Sequence, residues 1–186
     1  MKKYITGLLL LLMNSFALSQ VTPHPGSLDF DSKDRLAIQN LIHAYAVLWD
    51  SGDIENFVPL FTDDAISVRY SSGQKEVSLI KDPSAIKSAR ERTAFFKKNQ
   101  MQRRHMMSST YFLEQTSDSA EVIQYCLLMT TDSTSNIKAS AMNALGAVTQ
   151  SKLVSPIVYN FTFVKRGQHW KIKSREIKLD ANLDIP

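Results

Sequence analysis

The sequence predicts an α+β fold. Helical spacing of apolar residues runs through the first half of the chain, and acidic residues stand where each helix would be capped. Alternation takes over in the second half, where Ile157, Tyr159, Phe161 and Phe163 share one face of a strand and Asn160 and Thr162 the other. Helices first and long antiparallel hairpins afterwards is an α+β order. A strongly bent sheet wrapped around the early helices would enclose a pocket.

The elements follow in order. Lys2 and Lys3 precede a short apolar run over 5–13, and Ala17 and Ser19 are the small residues before a cut ahead of Gln20. This is the pattern of a secretory signal over 1–19. The run is shorter than the roughly 20 residues that span a bilayer, so no stable membrane anchor is expected and the mature chain is expected to be secreted or periplasmic. Residues 20–31, with Pro23, Pro25 and Gly26, read as an extended leader. Asp31 or Ser32 caps a helix reaching about Trp49, on which Ala37, Ile38, Leu41, Ala44, Tyr45 and Leu48 form the apolar stripe. Ser51-Gly52-Asp53 ends it and starts a short second helix over 54–60. Strands are expected over 65–70 and 77–80, around a turn at Ser71-Ser72-Gly73.

Asp82-Pro83 is a helix start, because the acid caps and proline sits where no amide donor is needed. That helix runs to about Lys98 with Ile86, Ala89, Thr93 and Phe96 inward. Lys97 and Lys98 in its last turn, with Arg103 and Arg104 nearby, read as a solvated helix end. Residues 104–115 and 120–131 form one hairpin, and 152–166 and 169–180 another. Residues 132–150 lack clear alternation and either cover a pocket or serve an interface.

Composition bounds the function. The chain has 186 residues, 44% hydrophobic and 22% charged, which suits one domain with a real core. Its lone cysteine, Cys126, excludes an intrachain disulfide and a Cys-based zinc cluster, and it reads as a buried small hydrophobe. The formal charge of +4 falls to +2 without residues 1–19, which hold Lys2 and Lys3. No basic arm stands out, so nucleic acid is not an expected partner.

Three segments in order carry a resemblance. Residues 34–64 hold a helix with an aromatic near its end, then Asp50, Gly52-Asp53 and Leu60-Phe61-Thr62-Asp63-Asp64. Arg104-His105-Met106-Met107-Ser108-Ser109 opens a strand. Residues 159–180 hold an aromatic strand, Lys165-Arg166-Gly167, Trp170-Lys171-Ile172 and Arg175. Together they resemble the nuclear-transport-factor-2-like superfamily, and within it the SnoaL-like and scytalone-dehydratase-like proteins, over a domain at 32–181 with a short tail at 182–186. The resemblance implies a cone-shaped barrel, with a strongly curved mixed sheet wrapped around three N-terminal helices and a blind apolar cavity at the wide end. It also implies a homodimer.

For chemistry the resemblance points to Asp50 and His105 as a cofactor-free acid/base pair, with no metal. An imidazole titrates near neutrality and a carboxylate steadies its charged form. Trp49 and Tyr70 match aromatic pocket positions and also suit core packing. Met107 and Ser109 follow His105 on the same face under simple alternation. Ser109 stands where relatives often carry asparagine, and 152–166 lacks the second histidine of the dehydratase-like members. His43, seven residues before Asp50, is an alternative partner for it, whereas His24 and His169 read as exposed. Two classes remain. One is an enzyme, a lyase, isomerase or cyclase acting on a small apolar or aromatic carbonyl or hydroxyl compound. The other is a non-catalytic binding protein of the same fold.

Overall fold

The computed structural model describes residues 26, 30–71, 74–133 and 149–179. The expected signal over 1–19, most of the leader, residues 134–148 and the tail lie outside the described residues.

Helix α1 spans Ser32–Ser51, and the Asp31 side chain accepts from the amides of Lys33 and Asp34 as its cap. Its buried stripe is Asp34, Ile38, Ile42, Tyr45 and Ala46, rotated from the one expected around Leu41. Ala37 is exposed, and Leu36 and Val47 point to solvent. Continued by one turn, the observed stripe arrives at Asp50, four residues after Ala46, so this acid faces inward. Helix α2 is the single turn Ile54–Phe57, capped by Asp53 and extended by a 3-10 turn over Val58–Leu60.

Strands β1 (Phe61–Ser71) and β2 (Gln74–Leu79) form an antiparallel pair. Helix α3 (Pro83–Lys98) starts where Asp82 and Pro83 predict. Ile86, Ala89, Thr93 and Phe96 are all half-buried, and no residue of α3 is fully buried. Strands β3 (Met101–Gln115), β4 (Ser119–Ser133), β5 (Thr149–Arg166) and β6 (His169–Leu179) complete one six-stranded sheet. Its order is β2-β1-β6-β5-β4-β3, with β1 parallel to β6 and the other pairs antiparallel.

The expected strongly curved barrel is therefore wrong: the sheet is open. Closure would need a ladder between β2 and β3, and these are its two edges. Every residue of β2 is exposed. The edge of β3 is occupied by helices instead, since α1 and α3 both pack against it and the His105 amide donates to the Asp50 side chain. An edge donor already satisfied by a helix residue is unavailable to another strand. Nor are the three helices all N-terminal to the sheet, because α3 follows the β1–β2 hairpin.

The core lies between α1 and one face of the sheet. Tyr45 meets Tyr159 and Phe161 edge-on at 5.7 and 5.4 Å, and Phe57 at 5.3 Å. Ile157, Tyr159, Phe161 and Phe163 are all buried, as their alternation predicts. At the other end of α1, Asp34 is a buried acid that accepts three hydrogen bonds from two groups: the Trp170 indole at 2.8 Å, and Lys165 at 2.9 Å on each carboxylate oxygen. The indole bond, with Lys165 behind it, holds the Asp34 carboxyl below the ordinary carboxylate range against the opposing effect of burial.

Asp34→Ala is expected to cost about 1–3 kcal/mol, since it strands a buried indole N–H and an ammonium. Urea unfolding at neutral pH measures it. A depressed folded pKa means the carboxylate's contribution is complete above about pH 4 and disappears as pH falls through the folded value. The gap between wild type and variant should therefore narrow in acid.

Candidate functional site

The end of α1 is built by Gly52. Its φ of 75° ends the helix in the left-handed region, and the Asp53 amide returns to the Leu48 carbonyl at 2.9 Å. A Cβ at position 52 would stand 2.2 Å from Thr93 Cγ2, so only glycine lets α3 approach here. This places Asp50 beside the start of β3.

Strand β3 then grips Asp50 at three atoms. The His105 amide donates to Oδ2 at 2.6 Å, His105 Nδ1 lies 2.6 Å from Oδ1, and Gln102 Nε2 donates to the Asp50 carbonyl at 2.9 Å. The two side chains are only 6% and 3% exposed. A carboxylate at Oδ1 selects the imidazole tautomer with its proton on Nδ1, which leaves the lone pair on Nε2. An acid at a helix C-terminus opposes the helix dipole, and these donors offset that cost. The pairing also settles the alternative, because His43 is exposed on α1 and the histidine at Asp50 is His105.

Two adjacent cavities lie under α3. The first, about 220 Å³, is walled by Trp49 and Phe57, by Ser67, Arg69 and Arg175 of the sheet, and by α3 from Ser84 to Arg92. The second, about 250 Å³, is walled by Trp49, Asp50 and Gly52, by Arg92, Thr93, Phe96 and Lys97 of α3, and by Met101, Gln102 and Arg103 of β3. Trp49 and Arg92 belong to both. In place of the blind apolar hollow implied by resemblance, these are partly open spaces with mixed walls. Asp50 faces the second cavity. His105 lies behind Asp50 and lines neither.

The other sequence candidates are dispersed. Trp49 packs on Phe57 at 4.9 Å and lines both cavities. Met107 is half-buried beside the core. A bulge between Met107 and Thr110 changes the register, so Thr110 and Phe112, paired with the buried Gln124 and Val122, continue the inner face. Ser109 sits exposed in that bulge, and Tyr111 turns outward. Tyr70 is on the outer face, where its hydroxyl donates to Glu176 at 2.6 Å and is held above its ordinary pKa. His169 is exposed at the β5–β6 turn, and His24 lies outside the described residues. Sequence reasoning missed Arg69, Arg92 and the inward face of Arg175, whose Nη1 donates to the Tyr45 hydroxyl at 2.5 Å. Lys97 is exposed, as a solvated helix end requires, and it walls the second cavity together with Arg103, which is half-buried. Among the described residues, no group of three or more His, Cys, Asp or Glu side chains is arranged to hold a metal ion, and no helix is long and apolar enough to cross a membrane.

The chain thus combines an open α+β sheet with an inward Asp–His pair at the end of its first helix. The SnoaL-like domain family matches residues 31–176, and the chain belongs to it. ActVI-ORFA from Streptomyces coelicolor is similar in structure, with a TM-score of 0.59 at 17% identity over 81% of this chain and 99% of that one. Aln2 from a Streptomyces species gives 0.58 at 17% over 82% and 94%. An NTF2-like protein with a cystatin-like fold from Novosphingobium aromaticivorans gives 0.57 at 18% over 83% and 84%. At these identities the likeness is one of fold. No curated protein matches the chain in sequence.

Cys126 adjoins the site and is buried; desolvation, then the nearby Asp50 charge, pushes its thiol up to about 12. The folded protein should therefore resist iodoacetamide at about pH 8 and react once denaturant exposes the thiol. Mass spectrometry of the alkylated protein checks this.

Proposed function

We propose that this chain is a cofactor-free lyase, isomerase or cyclase in which the Asp50–His105 pair moves a proton on a small carbonyl or hydroxyl compound. The observation that carries the reading is the two-point grip on the Asp50 carboxylate at the wall of a cavity that also presents Trp49. Asp50 is the member of the pair that a ligand meets, so the proton passes to or from its carboxylate. His105 holds that carboxylate in place and stabilises its charge, a positioning task that suits an imidazole fixed by its own backbone amide. Trp49 offers the flat apolar surface for the ligand body.

A second reading has its own support. His105 lines neither cavity and is nearly shut from solvent, which equally suits a structural clamp in a protein that binds without converting. The test is to pass a small-metabolite extract over the protein, identify the retained compound by mass spectrometry, and follow its fate. Asp50→Asn should lower turnover about 100-fold or more while retention changes only a few-fold. Unchanged turnover removes Asp50 as the proton acceptor. A wild-type protein that retains a compound and converts none is the binding protein of the second reading.

Export and dimerisation belong to the same proposal. The charged start and short apolar run over 2–13 support export. The outer face of β3, β4 and β5 exposes Met106, Tyr111, Tyr125, Leu127 and Leu153, each about half accessible. A contiguous apolar face of this kind suits a second copy of the chain. Tyr125→Glu combined with Leu127→Glu should convert a dimer to a monomer in light scattering. A wild type that is already monomeric would end that part of the reading.

A further inference from the structure

The two cavities share an electrostatic character that the acid/base reading does not use. Arg69, Arg92 and Arg175 face the first, and Arg92, Arg103 and Lys97 the second. Among the described residues, Asp50 is the one acid on either wall, and each of its oxygens accepts one hydrogen bond from His105. Among the same residues, none of these five cations has a carboxylate partner within salt-bridge distance. Arg90, two positions from Arg92 on the same helix but pointing elsewhere, does pair, with Glu55 at 2.6 Å. Arg175 is spent on neutral oxygens, those of Tyr45 and Ser67.

Arg92 and Arg103 are the telling pair. They come from α3 and β3, wall the same cavity, and carry like charge. Arg103 is half-buried with its guanidinium 5.1 Å from the centre of the Phe96 ring. Burial, then Arg92 nearby, lowers the Arg103 pKa from the usual guanidinium value against the opposing Asp50 charge, although an arginine remains charged. Arg92 is exposed and Arg103 half-buried; their like charges repel, the single Asp50 charge on the wall offsets this only in part, and a further anion between the two guanidiniums relieves the rest. The planar fork of each is matched in geometry to a carboxylate. Trp49, on the wall common to both cavities, supplies a flat apolar surface. Each cavity alone is below the roughly 300–1,000 Å³ that holds a drug-sized molecule, so the occupant is small.

We propose that the ligand of this cleft is a small carboxylic acid with a flat apolar body, its carboxylate held by Arg92 and Arg103 and its body laid against Trp49. This rests on the small-molecule site proposed above and specifies the chemical class that site accepts. Reaction at Asp50 then takes place on a molecule oriented by its charged end, which fixes the reacting atom against the carboxylate.

Benzoate and benzamide have nearly the same shape and differ in charge, so they are the probes. Calorimetric titration of the wild-type protein in low salt should show benzoate bound at least tenfold more tightly, with the preference shrinking as salt is added. In the double variant Arg92→Gln, Arg103→Gln the preference should fall to near unity while benzamide binding is kept. Salt dependence in the wild type keeps the test valid if the double variant does not fold. Equal binding of the two compounds, or a preference that survives in a folded double variant, overturns the assignment and leaves the site itself standing. Failure of both to bind overturns the site as well. Inorganic phosphate competing as well as benzoate would show a bare anion site and overturn the apolar body.

Discussion

The structure depends on one carboxylate held through both oxygens by one residue of an edge strand. Asp50 ends a helix and His105 lies near the start of a strand, 55 positions later. A single hydrogen bond between them would fix a distance. Backbone and ring bonds together also fix the direction of the carboxylate and the tautomer of the imidazole. The Gln102 bond to the Asp50 carbonyl extends the same grip to the helix backbone. Because the donors belong to an edge strand, this site and the openness of the sheet have one cause: β3 uses an edge amide on a helix residue.

The aromatic core explains why the site can be this polar without loss of order. Tyr45, Phe57, Phe61, Tyr159 and Phe161 form a connected set of rings between α1 and the sheet. Such rings contribute burial and directional ring–ring contacts together. They anchor α1 at Tyr45, near its C-terminal end, so the last turn can carry an acid. The half-buried α3 is different, because its inward residues look onto cavities and make few core contacts. Gly52, with no side chain, sets how near α3 comes.

Much of this was legible along the chain, for local reasons. Asp31 and Asp82 cap helices because their side chains satisfy amides two or three positions on. The inward face of β5 was visible because its alternation is uninterrupted through the four core residues. Asp50 and His105 were nominated by resemblance, and the geometry joins them, although the facing of the pair differs from expectation. The face of β3 beyond Met107 was not legible. A bulge has no reliable signature in residue type, yet it moves the following side chains to the opposite face, here until a second register shift between Phe112 and Glu114. Asp34 could have been found, since it stands four residues before Ile38 on the buried stripe and an inward acid demands donors.

The sequence by itself determined the helices and their caps, the hairpins, the apolar face of β5 and the family, because each is expressed in residues close together or in a pattern of residue types. Only the tertiary structure decided that the sheet stays open, that α1 is rotated to bring Asp50 inward, and that Arg92 and Arg103 share a cavity. Those outcomes are set by contacts between elements distant in the chain, in which a satisfied donor or a neighbouring charge depends on what arrives from elsewhere.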